Sequence, residues 1–76
     1  MHTNFEDKYI TLGLKVAYYR KKKGYTQETL ADKIGKSWSF IAQLERPTKV
    51  VGASLETIFM LAEALEIPAY KLFLDD

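Results

Sequence analysis

Cysteine is absent from this sequence, which excludes a disulfide framework and a thiolate metal site as supports for so short a chain. Histidine occurs once, as His2, and neither metal-ligand spacing nor a glycine-rich phosphate loop is present. Glu63 and Glu66 fall on one predicted helix with no histidine near them, so they read as a solvated face rather than an acid–base pair. An enzyme has little here to be built from, and no cofactor or small-molecule effector is expected. No apolar run approaches the roughly 18 residues that a membrane span needs. The opening MHTNFEDKY carries acids where a secretory signal would carry bases and then a long apolar stretch. The expectation is a cytoplasmic protein with no membrane partner. Glycine and proline are scarce too, at four and two residues, and they form no linker, repeat or low-complexity tract.

What is present fits one domain. The chain has 76 residues, enough for a small core only, and its 47% hydrophobic content argues against disorder. That core must suffice alone, or a second subunit must extend it. The formal net charge is +1, but its distribution is uneven. Residues 15–49 hold nine Lys/Arg against three Asp/Glu, whereas residues 50–76 hold one Lys against five acids. A basic middle and an acidic end make a polarised field, which is either a nucleic-acid footprint or an unevenly charged solvated surface.

Punctuation at Gly24, Gly35, Pro47, Gly52 and Pro68 divides the chain into five predicted helical pieces. The first runs from near Asn4 to Lys23, with Asn4 and Asp7 as an N-cap pair and Leu12, Val16 and Tyr19 at helical spacing. Lys21, Lys22 and Lys23 suit the negative end of its dipole, and Gly24 stops it. The second runs from Thr26 or Gln27 to about Ile34, capped by Thr26, with Leu30, Ala31 and Ile34 as its apolar face and Gly35 as its stop. The third starts at the cap Ser37, reaches about Arg46 and buries Ile41 and Leu44. The fourth begins near Ser54 and carries Leu55, Ile58, Leu61, Ala62 and Leu65 as a stripe of period 3.6. The fifth is one turn after Pro68, with Leu72 and Phe73. No stretch alternates long enough to form a strand, so the fold class is all-α.

Two short helices joined by a tight turn with glycine at its start form a helix-turn-helix, although generic helical hairpins share that description. The detail is more specific. Leu12-Gly13, Lys15-Val16 and Tyr19-Arg20 lead into Gly24, Thr26-Gln27, Leu30-Ala31, Ile34-Gly35 and Ser37, and then into Ile41 and Leu44-Glu45. In that order and spacing they resemble the phage Cro and repressor type of DNA-binding domain. Leu55-Glu56-Thr57-Ile58, Leu61-Ala62, Ala64-Leu65, Ile67 and Leu72-Phe73 resemble the fourth and fifth helices of the same family. The resemblance covers about residues 10–74. It implies a compact five-helix bundle of the lambda-repressor-like fold, with residues 1–76 as a single domain and residues 1–9 as a mobile or helix-extending N-terminus.

The resemblance also implies roles. Arg20 and Glu45 occupy positions that form a structural ion pair between the first helix and the end of the third. The third helix, about residues 37–46, is the recognition helix, placing Ser37, Trp38, Ser39, Phe40 and Gln43 toward base edges in the major groove. Gln43 can pair bidentately with adenine, and Ser39 can bond to several bases. Trp38 and Phe40 depart from the usual polar readers: each either touches a thymine methyl group or packs on protein. Gln27 matches a position that anchors to the DNA backbone, and Lys36, Arg46, Thr48 and Lys49 flank the recognition helix as phosphate grips. The loop from Pro47 to Ala53 departs from the family: Arg46-Pro47 stands where a glycine commonly follows, and the loop is two or three residues longer than in compact members. Val50, Val51, Phe73 and Leu74 are candidates for a two-fold dimer interface, the two valines being equally suited to covering the core. The function implied is regulation of transcription, as a repressor, by a homodimer on an inverted repeat of double-stranded DNA. The competing reading is a protein-interaction module on the same fold, such as an antitoxin, for which exposed aromatics at Tyr18, Tyr25, Trp38, Phe40 and Phe59 would serve.

Overall fold

The computed structural model describes residues 5–48 and 50–74. Within them the chain forms four α-helices and one 3₁₀ turn: α1 (Glu6–Lys22), α2 (Gln27–Lys33), α3 (Trp38–Leu44), α4 (Leu55–Leu65) and the turn Ala69–Phe73. The fifth piece expected from the sequence is thus a 3₁₀ turn, opened by the three-residue bond from the Lys71 amide to the Pro68 carbonyl at 3.1 Å. No described residue lies in a strand, and no helix among them is long and apolar enough to cross a membrane.

Three helices start on hydroxyl caps. Thr26 accepts from the Thr29 amide at 3.0 Å, Ser37 from Phe40 at 3.1 Å and Ser54 from Thr57 at 3.1 Å, each satisfying a donor that has no partner inside its helix. At α1 the expected cap Asn4 lies outside the described residues. Phe5 holds the cap position there with no side-chain bond, and Glu6 and Asp7 complement the dipole instead.

Helix ends follow one pattern three times. A residue one or two places past the helix takes a left-handed conformation, and the next amide bonds back five residues: Tyr25 to the Arg20 carbonyl, Lys36 to Ala31 and Ile67 to Ala62. The left-handed residues are Gly24 (φ 78°), Gly35 (φ 68°) and Glu66 (φ 59°). Glycine takes that conformation at little cost, whereas glutamate meets its own Cβ. Ile67 must nevertheless dock against the core, and Glu66 is held over by Lys23, whose Nζ lies 2.6 Å from Oε1. That hydrogen bond is the main reason the Lys23 ammonium is pushed above its usual range and the Glu66 carboxyl below. Both groups are exposed, so the bridge is weak in water. Glu66→Gly is expected to raise the thermal midpoint by a few degrees. A lower midpoint would show that the bridge outweighs the backbone strain.

The core is built from Leu12 and Val16 of α1, Leu30, Ala31 and Ile34, Ile41 and Leu44 of α3, Ile58, Leu61, Ala62 and Leu65 of α4, and Leu72 of the terminal turn. Leu55 breaks from the stripe on which its spacing puts it and is 60% exposed. It sits in the first turn of α4, past the edge of the core, and Thr57 is buried in its place, its hydroxyl 3.0 Å from Ser54 Oγ. Gly13 fixes how near α1 comes to α3: a Cβ there would stand 1.9 Å from the Leu44 carbonyl oxygen.

Candidate nucleic-acid interface

Helices α2 and α3 pack directly on each other, and the turn between them closes with the left-handed Gly35. Ala31, the small residue expected at a close crossing of the two helices, is buried. Ile41 and Leu44 bury one side of α3, and Glu45 at its end is 8% exposed. The opposite side is open, with Trp38, Ser39 and Gln43 exposed. Ser39 and Gln43 stand one turn apart, and Gln43 Nε2 donates to Ser39 Oγ at 3.2 Å, so the two polar side chains share one face. Ser37 is exposed with its hydroxyl engaged as the cap. Phe40 differs from the other expected readers: it is half-buried against the core, with the Lys36 ammonium 6.0 Å from its ring centre.

A polar network holds this helix from behind. Arg20 Nε donates to Glu45 Oε2 at 2.7 Å and Arg20 Nη2 to Glu45 Oε1 at 2.9 Å, a bidentate pair. Arg20 Nη1 donates to the Tyr25 carbonyl at 2.8 Å. Gln27 Nε2 donates to Glu45 Oε1 at 3.0 Å, and the Trp38 indole N–H donates to Gln27 Oε1 at 3.2 Å. Arg20, like Glu45, is 8% exposed, and among the described residues no buried side-chain polar atom lacks a partner. The Gln27–Trp38 bond was not legible in the sequence. Its one signal is that the two residues open the two helices of the motif, which brings their side chains together across the turn. Tyr25, expected among the exposed aromatics, is half-buried and flanked by the ammonium groups of Lys33 and Lys23, 5.0 and 5.9 Å from its ring centre.

Lys36, Arg46 and Thr48 are exposed on either side of α3, and Lys49 lies outside the described residues. Among the dimer candidates, Val50, Phe73 and Leu74 are exposed, whereas Val51 is half-buried against the core. Phe73 lines an apolar groove with Tyr9, Leu12, Leu55 and Ile58.

The helix-turn-helix family model matches residues 16–72. The chain belongs to the XRE-type helix-turn-helix family. Similar solved structures include the restriction-modification controller protein C.AhdI from Aeromonas hydrophila, 34% identical over 88% of this chain and 98% of that one, with a TM-score of 0.80. A hypothetical transcription factor, NHTF from Neisseria, is 28% identical over 97% of this chain and 83% of its own, at a TM-score of 0.81. SinR, a master regulator for biofilm formation solved in complex with DNA, is 28% identical over 80% and 95%, at 0.73. Among curated proteins nothing matches. The fold and family are those of DNA-binding transcriptional regulators, and α2 and α3 are the helix-turn-helix within this chain.

Proposed function

We propose that this transcriptional regulator binds a specific double-stranded DNA site as a homodimer and represses by occupancy, with α3 in the major groove. The observation that carries the reading is the two-sidedness of α3. Its inner side is locked by Ile41, Leu44 and the Arg20–Glu45 pair, while its outer side presents Trp38, Ser39 and Gln43 with Lys36 and Arg46 close by in sequence. Gln43 suits adenine and Ser39 suits several bases. Ser37 and the edge of Phe40 are secondary candidates for base contact. Lys36, Arg46, Thr48, Lys49 and the second amide hydrogen of Gln27 take phosphates.

Val50, Phe73 and Leu74 are exposed large apolar residues, as are Leu55 and Tyr9, which line one groove with Phe73, the kind of surface that marks an interaction site. A two-fold copy covering it would present two recognition helices to an inverted repeat whose half-site centres lie about one helical turn apart. Such a protein would work in the cytoplasm, at the chromosome.

Selection from a randomised duplex library, followed by anisotropy titration of the selected site across a salt series, tests this. An enriched inverted repeat is expected. With about four to six phosphates neutralised, the log–log salt slope should be on the order of −4 to −5. Gln43→Ala should weaken binding roughly 5- to 100-fold by removing a bidentate base contact and leave the slope unchanged. Lys36→Ala should make the slope shallower by about 1. No enrichment, with only weak binding shared by all duplexes, would overturn the reading and favour a protein partner at exposed aromatics such as Tyr18 and Phe59.

A further inference from the structure

Of the seven residues of α3, only Ser39 and Gln43 bring a hydroxyl or an amide to its exposed side. The two are not independent. Gln43 Nε2 donates to Ser39 Oγ at 3.2 Å, a bond along the helix between residues one turn apart. A primary amide has a donor end and an acceptor end of nearly equal size, so a free glutamine can turn either one to a neighbour. Here the serine hydroxyl takes the nitrogen end, which sets Oε1 on the other side of the amide carbon.

The amide nitrogen carries two hydrogens. A bidentate contact with a base edge uses the amide oxygen and the hydrogen that lies beside it. The other hydrogen points back toward the side chain's own stem. An acceptor one turn earlier on the same helix can hold that hydrogen and leave the pairing edge open. The fixed polarity then matters for the base. In the major groove adenine shows the acceptor N7 beside the donor N6, whereas guanine shows two acceptors, N7 and O6. An amide held with its nitrogen at one end pairs with adenine and sets its oxygen against guanine O6. An amide free to swing can turn its nitrogen to either acceptor of guanine, and so discriminates less.

Resting on the DNA-reading role of α3 proposed above, we propose that Ser39 is a positioning residue: it reads no base of its own but holds Gln43 in the polarity that selects adenine over guanine. A hydrogen bond open to water adds little to the stability of the free protein. Its effect on binding is that side-chain freedom is already restricted before DNA arrives.

Ser39→Ala removes the acceptor and puts a better helix former in its place, so the thermal midpoint should not fall. In the free protein, NMR relaxation of the Gln43 side-chain amide should show faster motion in Ser39→Ala than in wild type. Ser39→Thr, which keeps the hydroxyl, should restore the slower motion. On the selected operator, the adenine that Gln43 reads is found by replacing N7 with carbon, one adenine at a time. It is the position where wild type loses affinity and Gln43→Ala does not. There Ser39→Ala should bind adenine roughly 2- to 10-fold more weakly, the effect of having to order one more side chain, and its preference over guanine should shrink by a similar factor. Ser39→Thr should keep the wild-type preference. The double variant Ser39→Ala with Gln43→Ala should bind no more weakly than Gln43→Ala alone, because the hydroxyl acts only through the amide. Losses that multiply in the double variant, with that of Ser39→Ala falling at a different base pair, overturn the proposal and make Ser39 a reader in its own right. Wild-type affinity and preference in Ser39→Ala overturn it as well. An operator with no position that meets the N7 criterion overturns the adenine contact on which the inference depends. Failure to select any operator overturns the DNA reading itself, so the failures are told apart.

Discussion

Gly13→Ala is expected to remove a large share of the stability of the fold, about 3 kcal/mol, although alanine is the better helix former and the site lies mid-helix. Propensity alone would reward the change by about 1 kcal/mol. The added methyl, however, would stand 1.9 Å from the Leu44 carbonyl oxygen and 3.0 Å from its carbon. Those are backbone atoms at the end of α3, so no rotamer change relieves the clash. Helix α1 would have to lift away from α3. That separation would part Val16 from the core and lengthen the Arg20–Glu45 bonds that bridge the same two helices. Overpacking of this kind costs about 3 kcal/mol or more, against a total stability of roughly 4–11 kcal/mol for a chain of this length. Denaturant titration followed by circular dichroism measures it directly. A variant within about 1 kcal/mol of wild type would mean that α1 and α3 can separate freely, and the account of their spacing would then be wrong.

That contact marks where the sequence is legible and where it is not. Gly13 can be noticed as one letter of a family pattern, but the reason for it is an approach between residues far apart in the chain. The helix starts were readable because they are local: Thr26, Ser37 and Ser54 each bond an amide three residues on. The helix stops at Gly24 and Gly35 were readable for the same reason. The third stop was hidden, since Glu66 carries no signal of a left-handed turn and is placed there by the docking of Ile67. Periodicity put Leu55 in the core, yet a stripe says which side faces inward and not how far the core extends along it. Charge counts located a basic middle but not its use. Lys36 and Arg46 are exposed near α3, whereas Lys23 is bound to Glu66 and Lys33 lies against Tyr25. The exposed side of α3 was legible as a set of residues. That Phe40 turns to the core while Trp38 is tethered by Gln27 depends on side-chain reach across two helices, which no spacing rule encodes.

Glu45→Ala is expected to destabilise the fold by about 3–5 kcal/mol, because it leaves the Arg20 guanidinium buried without its counter-charge. Arg20→Ala should cost a similar amount for the mirror reason, the carboxylate keeping only the Gln27 amide as a partner. Replacing both, as in Arg20→Leu with Glu45→Leu, should cost much less than the sum of the two single changes, since a pair of apolar side chains carries no desolvation penalty. Denaturant titrations of the single and double variants complete the cycle. Single changes costing less than about 1 kcal/mol each would place the pair in the solvent-screened class and remove the argument for its burial. The pair also bears on recognition. Glu45 Oε1 accepts from both Arg20 and Gln27, so losing the carboxylate slackens the link to Trp38 as well as the join between α1 and α3. Measured under conditions where each variant is still folded, Glu45→Ala should therefore weaken operator binding and free the Trp38 ring together. The doubly apolar variant should regain stability without regaining that hold on the Trp38 ring. Stability and recognition then separate in one set of proteins, which is the behaviour expected of a buried charge that serves both.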